Sequence, residues 1–217
     1  MELRILDLIG VFAFASYGSF KALERRLDLF GVFVSAALTA LGGGAIREII
    51  LNSHPIFLHD YTYIMVVALG VLFTVGVYRH FHKINKYMLI LDAIGLTTFA
   101  FIGANRAAQA GLGLGAMVLF AVLTAAGGGV LSDIIIGRPP QLFYGDFYAV
   151  PAMLMALLYH ELRPYLGQPL VVTALLSGVL FVRLGALYFQ WAMWRPTDRP
   201  LNTYMMKSII QILKPLR

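Results

Sequence analysis

The stretch Leu41-Gly42-Gly43-Gly44-Ala45-Ile46-Arg47-Glu48-Ile49-Ile50 returns later in the chain as Ala126-Gly127-Gly128-Gly129-Val130-Leu131-Ser132-Asp133-Ile134-Ile135. Each copy lies in a long apolar run and is followed by a proline, Pro55 or Pro140. A glycine inside a soluble helix costs about 1 kcal/mol against alanine, so a triplet used twice needs a physical reason. Two are available: the helix is interrupted there, or another backbone comes close. The repetition reaches well past the triplets. The shift that carries Gly42 onto Gly127 also places Leu6-Asp7 on Leu91-Asp92, Gly18 on Gly103, Lys21 on Arg106, Thr39 on Thr124 and Tyr63 on Tyr148. Of the 45 pairs between 6–50 and 91–135, 19 are identical.

Composition decides the solvent. Of 217 residues, 59% are hydrophobic and 13% charged, with mean hydropathy +0.78, whereas a soluble domain carries about 25% charged residues. Seven apolar stretches approach the roughly 20 residues that a bilayer core requires: 5–22, 29–51, 61–78, 87–107, 113–136, 147–159 and 170–191. The sixth is short and carries Pro151 near its start. The first reads as a retained span, since it has little basic flank, no small-residue cleavage pattern and a matching internal copy. Continuous apolar runs exclude a β-barrel, whose strands alternate. With no cysteine in the chain, disulfides and thiolate metal sites are excluded.

The net charge of +6 does not require nucleic acid, because membrane proteins collect Lys and Arg in cytoplasmic loops. Twelve of these residues fall on one side of the predicted spans and three, Arg4, Arg106 and Arg163, on the other; Arg47 and Arg183 lie inside spans. The bias predicts a multi-pass protein of the cell (inner) membrane with its N-terminus outside and its C-terminus cytoplasmic. Three spans per copy is an odd number, so the second copy enters the bilayer upside down relative to the first. The expected fold class is all-α integral membrane, with seven transmembrane helices: two inverted three-helix repeats, 1–84 and 85–168, and a seventh helix in 169–195. A basic cytoplasmic tail, 196–217, follows, and Trp191, Trp194, Tyr204, Met205 and Met206 suit an interfacial anchor against the lipid bilayer. In transport proteins of this kind the site lies near the midplane, at interrupted helices. The alternative for the glycines is helix packing alone.

These features, twin triplets each with an acid four positions after the last glycine and a downstream proline, resemble the prokaryotic members of the trimeric intracellular cation channel (TRIC) family. That domain family is also described as a glycine transporter. The resemblance covers residues 1 to about 195. It implies a homotrimer with an hourglass pore in each protomer, passing potassium and other monovalent cations between two kinked helices. The implied kinks are Gly42, Gly43, Gly44, Gly127, Gly128 and Gly129. The arginine that the family places before the acid is matched by Arg47, but the second copy has Ser132 there.

Intramembrane charges are candidates by default, because each is expensive unless paired or wetted. Glu48 and Asp133 are equivalent and expected near opposite mouths, where they attract cations or anchor ion pairs. Adjacent Arg47 and Glu48 point about 100° apart on a helix, so the expected partners are Asp7 for Arg47, and Asp92 or Asp133 for Arg183. Asp7 and Asp92 are expected at helix N-termini, and Lys21 and Arg106 at C-termini, where each suits the helix dipole. Among the hydroxyls, Thr39 and Thr124 stand out by their repetition ahead of the triplets, and Ser132 by its place in the motif.

No Ser/His/Asp set, zinc-protease motif or paired catalytic carboxylates appears, so no enzymatic activity, cofactor or metal is expected. The His54/His59 and His80/His82 pairs read as solvated or interfacial. The leading reading is a passive potassium-type channel. A secondary transporter of glycine or a similar small amino acid is the alternative, and a structural membrane subunit a third.

Overall fold

The structure, a computed structural model, describes residues 3–78, 85–144 and 147–191. His80, His82 and the tail 196–217 lie outside them. The described chain is all helical: α1 Leu3–Glu24, α2 Leu29–Ile50, α3 Thr62–Tyr78, α4 Asn85–Gln109, α5 Leu114–Ile135, α6 Gln141–Tyr144, α7 Ala149–Leu162 and α8 Pro169–Tyr188. Five of these, α1, α2, α4, α5 and α8, are long and apolar enough to cross a bilayer. Helices α3 and α7, of 17 and 14 residues, are shorter. Pro151 sits in the first turn of α7, where its missing N–H costs nothing.

The burial pattern is that of a protein dissolved in lipid. Leu29, Phe30, Leu69, Leu72, Leu170 and Phe181 are exposed, while Lys21, Arg47, Glu48, Asp92, Asp133 and Arg183 are buried. Charges turned inward and large apolar side chains turned outward suit a solvent that cannot hydrate ions.

The duplication is visible in the packing. Helices α1, α2 and α3 contact one another pairwise, and so do α4, α5 and α7. The two sets join through α1 against α4 and α2 against α5, while α8 lies on α4 and α7. Even the turns correspond. Arg26 and Gly111, equivalent under the repeat, both take positive φ after the first helix of their copy, as do Asn52 and Gly137 after the second. The 6→1 bonds that close these second helices also match, Ser53 N–H to Glu48 O and Arg138 N–H to Asp133 O, both 2.8 Å. Left-handed residues end helices in this way because the reversed backbone lets late N–H groups reach back to otherwise unused carbonyls.

Neither triplet interrupts its helix: α2 and α5 run unbroken through residues 42–44 and 127–129. The expectation of broken helices is corrected. Gly42, Gly43, Gly127 and Gly128 serve a close crossing, and in a bilayer small residues are what permits backbones to approach.

Candidate functional site: two cavities at a glycine crossing

Helices α2 and α5 meet glycine against glycine. A methyl group added at Gly42 would stand 3.1 Å from the Gly128 Cα, and one at Gly127 would stand 3.6 Å from the Gly43 Cα. Methyls at Gly43 and Gly128 would run into the carbonyl oxygens of Thr124 and Thr39, themselves an equivalent pair. The third glycine of each triplet is different. Beyond Gly129 there is nothing within 4 Å, and beyond Gly44 only the Arg47 guanidinium at 3.7 Å. Each third glycine faces a cavity.

The first cavity has a floor of about 30 Å³ walled by Asp7, Leu41, Gly44, Glu48, Ile56, Phe57, Tyr63, Phe99 and Thr124, among others. The second, of about 10 Å³, is walled by Asp92, Ala126, Gly129, Asp133, Gln141, Leu142, Tyr148, Phe14 and Thr39, with Lys21 and Tyr17. Taken in order, those nine wall residues are the repeat partners of the nine named in the first cavity. The floor of the first cavity shares Asp7, Arg47, Glu48, Ile56 and Tyr63 with a wider mouth of about 460 Å³ that also carries Arg4, His54, His59, Asn105 and Arg106. Since one water needs about 10–15 Å³ of such space, the second cavity is nearly closed.

Each carboxylate is held by a partner from another helix. In the first copy the Tyr63 hydroxyl donates to Asp7 at 2.7 Å; in the second Tyr148 donates to Asp92 at 2.9 Å. The Arg106 guanidinium grips Glu48 at 2.5 and 3.0 Å, and the Lys21 ammonium holds Asp133 at 2.6 Å. Lys21 and Arg106 do stand in the last turns of α1 and α4, but their charges are spent across the copies as well as on a helix end. The Gln141 N–H adds a 3.0 Å bond to Asp133, and Tyr17 donates to the Gln141 amide oxygen at 2.8 Å.

The partners of the remaining charges differ in part from those expected. Arg47 and Glu48 pair directly, at 2.8 Å. The angle between their Cβ directions fixes only where the side chains start, and a long arginine swings back to reach its neighbour where no water competes. Asp7 takes the Tyr63 hydroxyl rather than an ion pair with Arg47. Arg183 reaches Asp92, at 3.4 Å, and lies 4.8 Å from the Tyr148 ring centre. Neither Asp7 nor Asp92 is in a first helical turn, because α1 and α4 begin earlier than the apolar runs, at Leu3 and Asn85.

The hydroxyls divide unevenly. Thr39 donates to the Ser35 carbonyl at 2.8 Å, and Ser132 shares a 2.8 Å bond with Ser35. Thr124 Oγ1 is buried with no hydrogen-bond partner among the described residues. Outside the spans, Asp60 is held below the usual carboxylate range by the hydrogen bonds of Thr62, helped by Arg4. His54 and His59 face each other at 6.1 Å between ring centres, and no three metal-ligating side chains cluster among the described residues. Sequence reasoning did not single out Tyr17 or Gln141, or assign Lys21, Arg106, Tyr63 and Tyr148 to the site. The last four carried a signal in their exact repetition or conservative exchange between the copies.

Comparison with known proteins adds the family. A model described as "Glycine transporter" matches residues 4–79 and again 89–164, the same unit twice at the offset of the triplets. The inner membrane protein YadS of Escherichia coli K12, a UPF0126 protein, is 32% identical over 88% of this chain and 94% of its own. A solved structure described as the structural basis for conductance through TRIC cation channels superposes with TM-score 0.82 at 32% identity, covering 91% of this chain and 98% of that one. The TRIC trimeric intracellular cation channel orthologue from Rhodobacter sphaeroides gives TM-score 0.79 at 29% identity, covering 87% and 98%. An all-α membrane fold with buried, cross-paired charges at a glycine crossing, matched along nearly its whole described length, leaves one assignment: the chain belongs to the UPF0126 family of membrane proteins, the glycine-transporter family of the matching model, and has the fold of the prokaryotic TRIC cation channels.

Proposed function

We propose that the protein is a passive channel for monovalent cations, potassium among them, with a pore in each protomer of a homotrimer. The observation that carries this reading is the pair of equivalent cavities ending on opposite sides of one α2–α5 crossing. Joined, they make a single path; in the present state the crossing and the nearly closed second cavity block it. Residues 1–84 and 85–168 are then inverted three-helix repeats, 169–195 the seventh helix and 196–217 a cytoplasmic tail, with α3 and α7 as short spans in a locally thinned or protein-shielded bilayer. The first cavity opens outward and the second toward the cytoplasm, the orientation favoured by the Lys and Arg bias.

Conduction follows from a modest change at the crossing. Separating α2 from α5 connects Gly44 and Gly129, and a bend at the triplets is inexpensive because the glycines carry no side chains of their own that would have to be repacked. Carboxylates along the path offset the cost of removing water from a cation. Gly44→Leu and Gly129→Leu test this directly, since both side chains grow into cavity space. In a planar bilayer with a potassium gradient, discrete cation-selective openings that vanish in both folded variants are expected. Their persistence removes the path.

A second reading, a carrier for a small zwitterion such as glycine, is favoured by the first cavity, whose mouth offers Arg4 and Arg106 to a carboxylate and whose floor offers Asp7 to an amine. Saturable counterflow of labelled glycine in liposomes, with no unitary currents, selects the carrier.

A further inference from the structure

The mouth of the first cavity and its counterpart in the second copy share a backbone plan and are filled in opposite ways. The open mouth is lined by Leu3, Arg4, Ile102, Asn105 and Gln109, among others. The repeat carries these onto Met88, Leu89, Tyr17, Phe20 and Glu24, so that Arg4 and Asn105 give way to a leucine and a phenylalanine. Tyr17, Phe20 and Met88 pack into a buried apolar cluster, with Val77 and Leu89 against it. Met88 is 1% exposed where its partner Leu3 is 44% exposed. One copy has a wet vestibule and the other a plug.

A strap holds the plug in place. Residues 137–143 lead from the end of α5 into α6, and Gln141 and Leu142 wall the second cavity. The Tyr17 hydroxyl donates to Gln141 Oε1 at 2.8 Å, and the Gln141 N–H donates to Asp133 at 3.0 Å. Farther out, Arg25 donates to the Gly137 carbonyl at 3.2 Å and Arg138 pairs with Glu24 at 3.1 Å. The Lys21 ammonium lies 5.3 Å from the Tyr17 ring centre, close enough for a cation–π attraction. The first copy cannot repeat these fastenings. Ile102 and Ala110 stand for Tyr17 and Arg25, Ile56 for Gln141, and the uncharged Gln109 and Ser53 for Glu24 and Arg138. Because exposed ion pairs contribute little, the Tyr17–Gln141 bond, shielded by the cluster, is the fastening that counts.

We propose that Tyr17, latched to Gln141 and backed by Phe20 and Met88, is a gate: the second cavity opens when the strap lifts and the ring swings out, while the first cavity stays open to its mouth. This rests on the conduction reading above and adds which end moves. A narrow apolar constriction stops ions by excluding their water. A latch made of one neutral hydrogen bond is weak enough to release without unfolding the bundle.

The chain contains no cysteine, so an introduced thiol is the sole one. Gly44→Cys and Gly129→Cys each place it in a cavity, where the added atoms meet open space or the end of Arg47. Silver(I), slightly smaller than potassium and captured by thiolates, is the probe, used in chloride-free nitrate solution; thiols it has not reached are counted by maleimide labelling after denaturation. In the full-length protein, blocking is expected to be much faster in Gly44→Cys than in Gly129→Cys. Adding Tyr17→Phe, which keeps the ring and removes the latch bond, speeds blocking in Gly129→Cys about fivefold, the equivalent of one hydrogen bond. Tyr17→Ala speeds it further, and neither substitution alters the rate in Gly44→Cys. Equal rates at the two positions with Tyr17 intact, equal acceleration at both, or an unchanged rate in Gly129→Cys when Tyr17→Ala is added overturns the gate. Acceleration confined to Gly129→Cys in a protein that passes no current upholds the gate and removes the channel; potassium currents with an unchanged rate in Gly129→Cys remove the gate and keep the channel.

Discussion

Where the first copy places Arg47, the second places Ser132, and the surroundings of the two equivalent acids diverge from that point. Glu48 sits between two guanidiniums, Arg47 and Arg106. Asp133 has a single ammonium, Lys21, and the N–H of Gln141, while Ser132 turns to Ser35. Asp7 and Asp92 differ the other way, since α8 brings Arg183 to Asp92 while Asp7 meets the Tyr63 hydroxyl. A duplicated backbone has kept its shape while its two halves divided the charges unequally. Glycines and tyrosines hold the shape in both copies; charge was free to drift wherever a neighbour compensated.

The contrast between the copies breaks most severely at the cross-copy ion pairs. Lys21→Met strands Asp133 with one N–H in a dry site, and the expected loss of stability is about 3–5 kcal/mol, read as a drop in Tm in detergent. Arg106→Met leaves Glu48 with Arg47, and because Arg106 is partly exposed the loss is about 1 kcal/mol. Equal losses would mean that the second guanidinium on Glu48 contributes nothing.

The triplets predict a division of labour inside each one. Gly43→Ala and Gly128→Ala drive a methyl into a carbonyl oxygen of the facing helix and are expected to cost about 1–3 kcal/mol by overpacking. Gly44→Ala and Gly129→Ala meet open space and gain up to about 1 kcal/mol of helix propensity. Thermal unfolding of the four variants side by side sharpens the comparison; four equal values would end it.

Smaller effects come from restoring symmetry. Arg47→Ser makes the first copy like the second and removes a cation from a wall that still has Arg106 on Glu48. Under the channel reading, single-channel potassium conductance at low salt rises by up to about tenfold and the gain shrinks at high salt. Tyr63→Phe costs about 1 kcal/mol, since it removes the hydroxyl that holds Asp7, whereas Tyr148→Phe costs less because Arg183 remains on Asp92. Both differences are read from Tm in detergent.

Much of this architecture was legible in the sequence. The register of the repeat revealed which residues are equivalent, and the apolar runs located the long helices to within a few residues. Partner choice was not legible. Lys21 and Asp133 come from different copies, and each had a satisfactory local explanation, a basic last turn and a buried acid. The Arg47–Glu48 bond eluded a helical-wheel argument, which tracks Cβ directions and ignores the reach of a long side chain. The unbroken helices through residues 42–44 and 127–129 reflect the same limit: glycine's cost was visible in the sequence, but whether it served bending or contact depended on a helix far along the chain.

The reciprocal clasp, Lys21 to Asp133 and Arg106 to Glu48, carries a consequence for each half taken alone. Each half donates a cation to its sibling and receives one in return, so a solitary first half strands Lys21 while its Glu48 keeps Arg47, and a solitary second half strands both Asp133 and Arg106. A chain encoding one half would meet this requirement only beside a second copy of itself; joined in one chain, the two halves are relieved of the need to be identical, and Arg47 and Ser132 mark where they part.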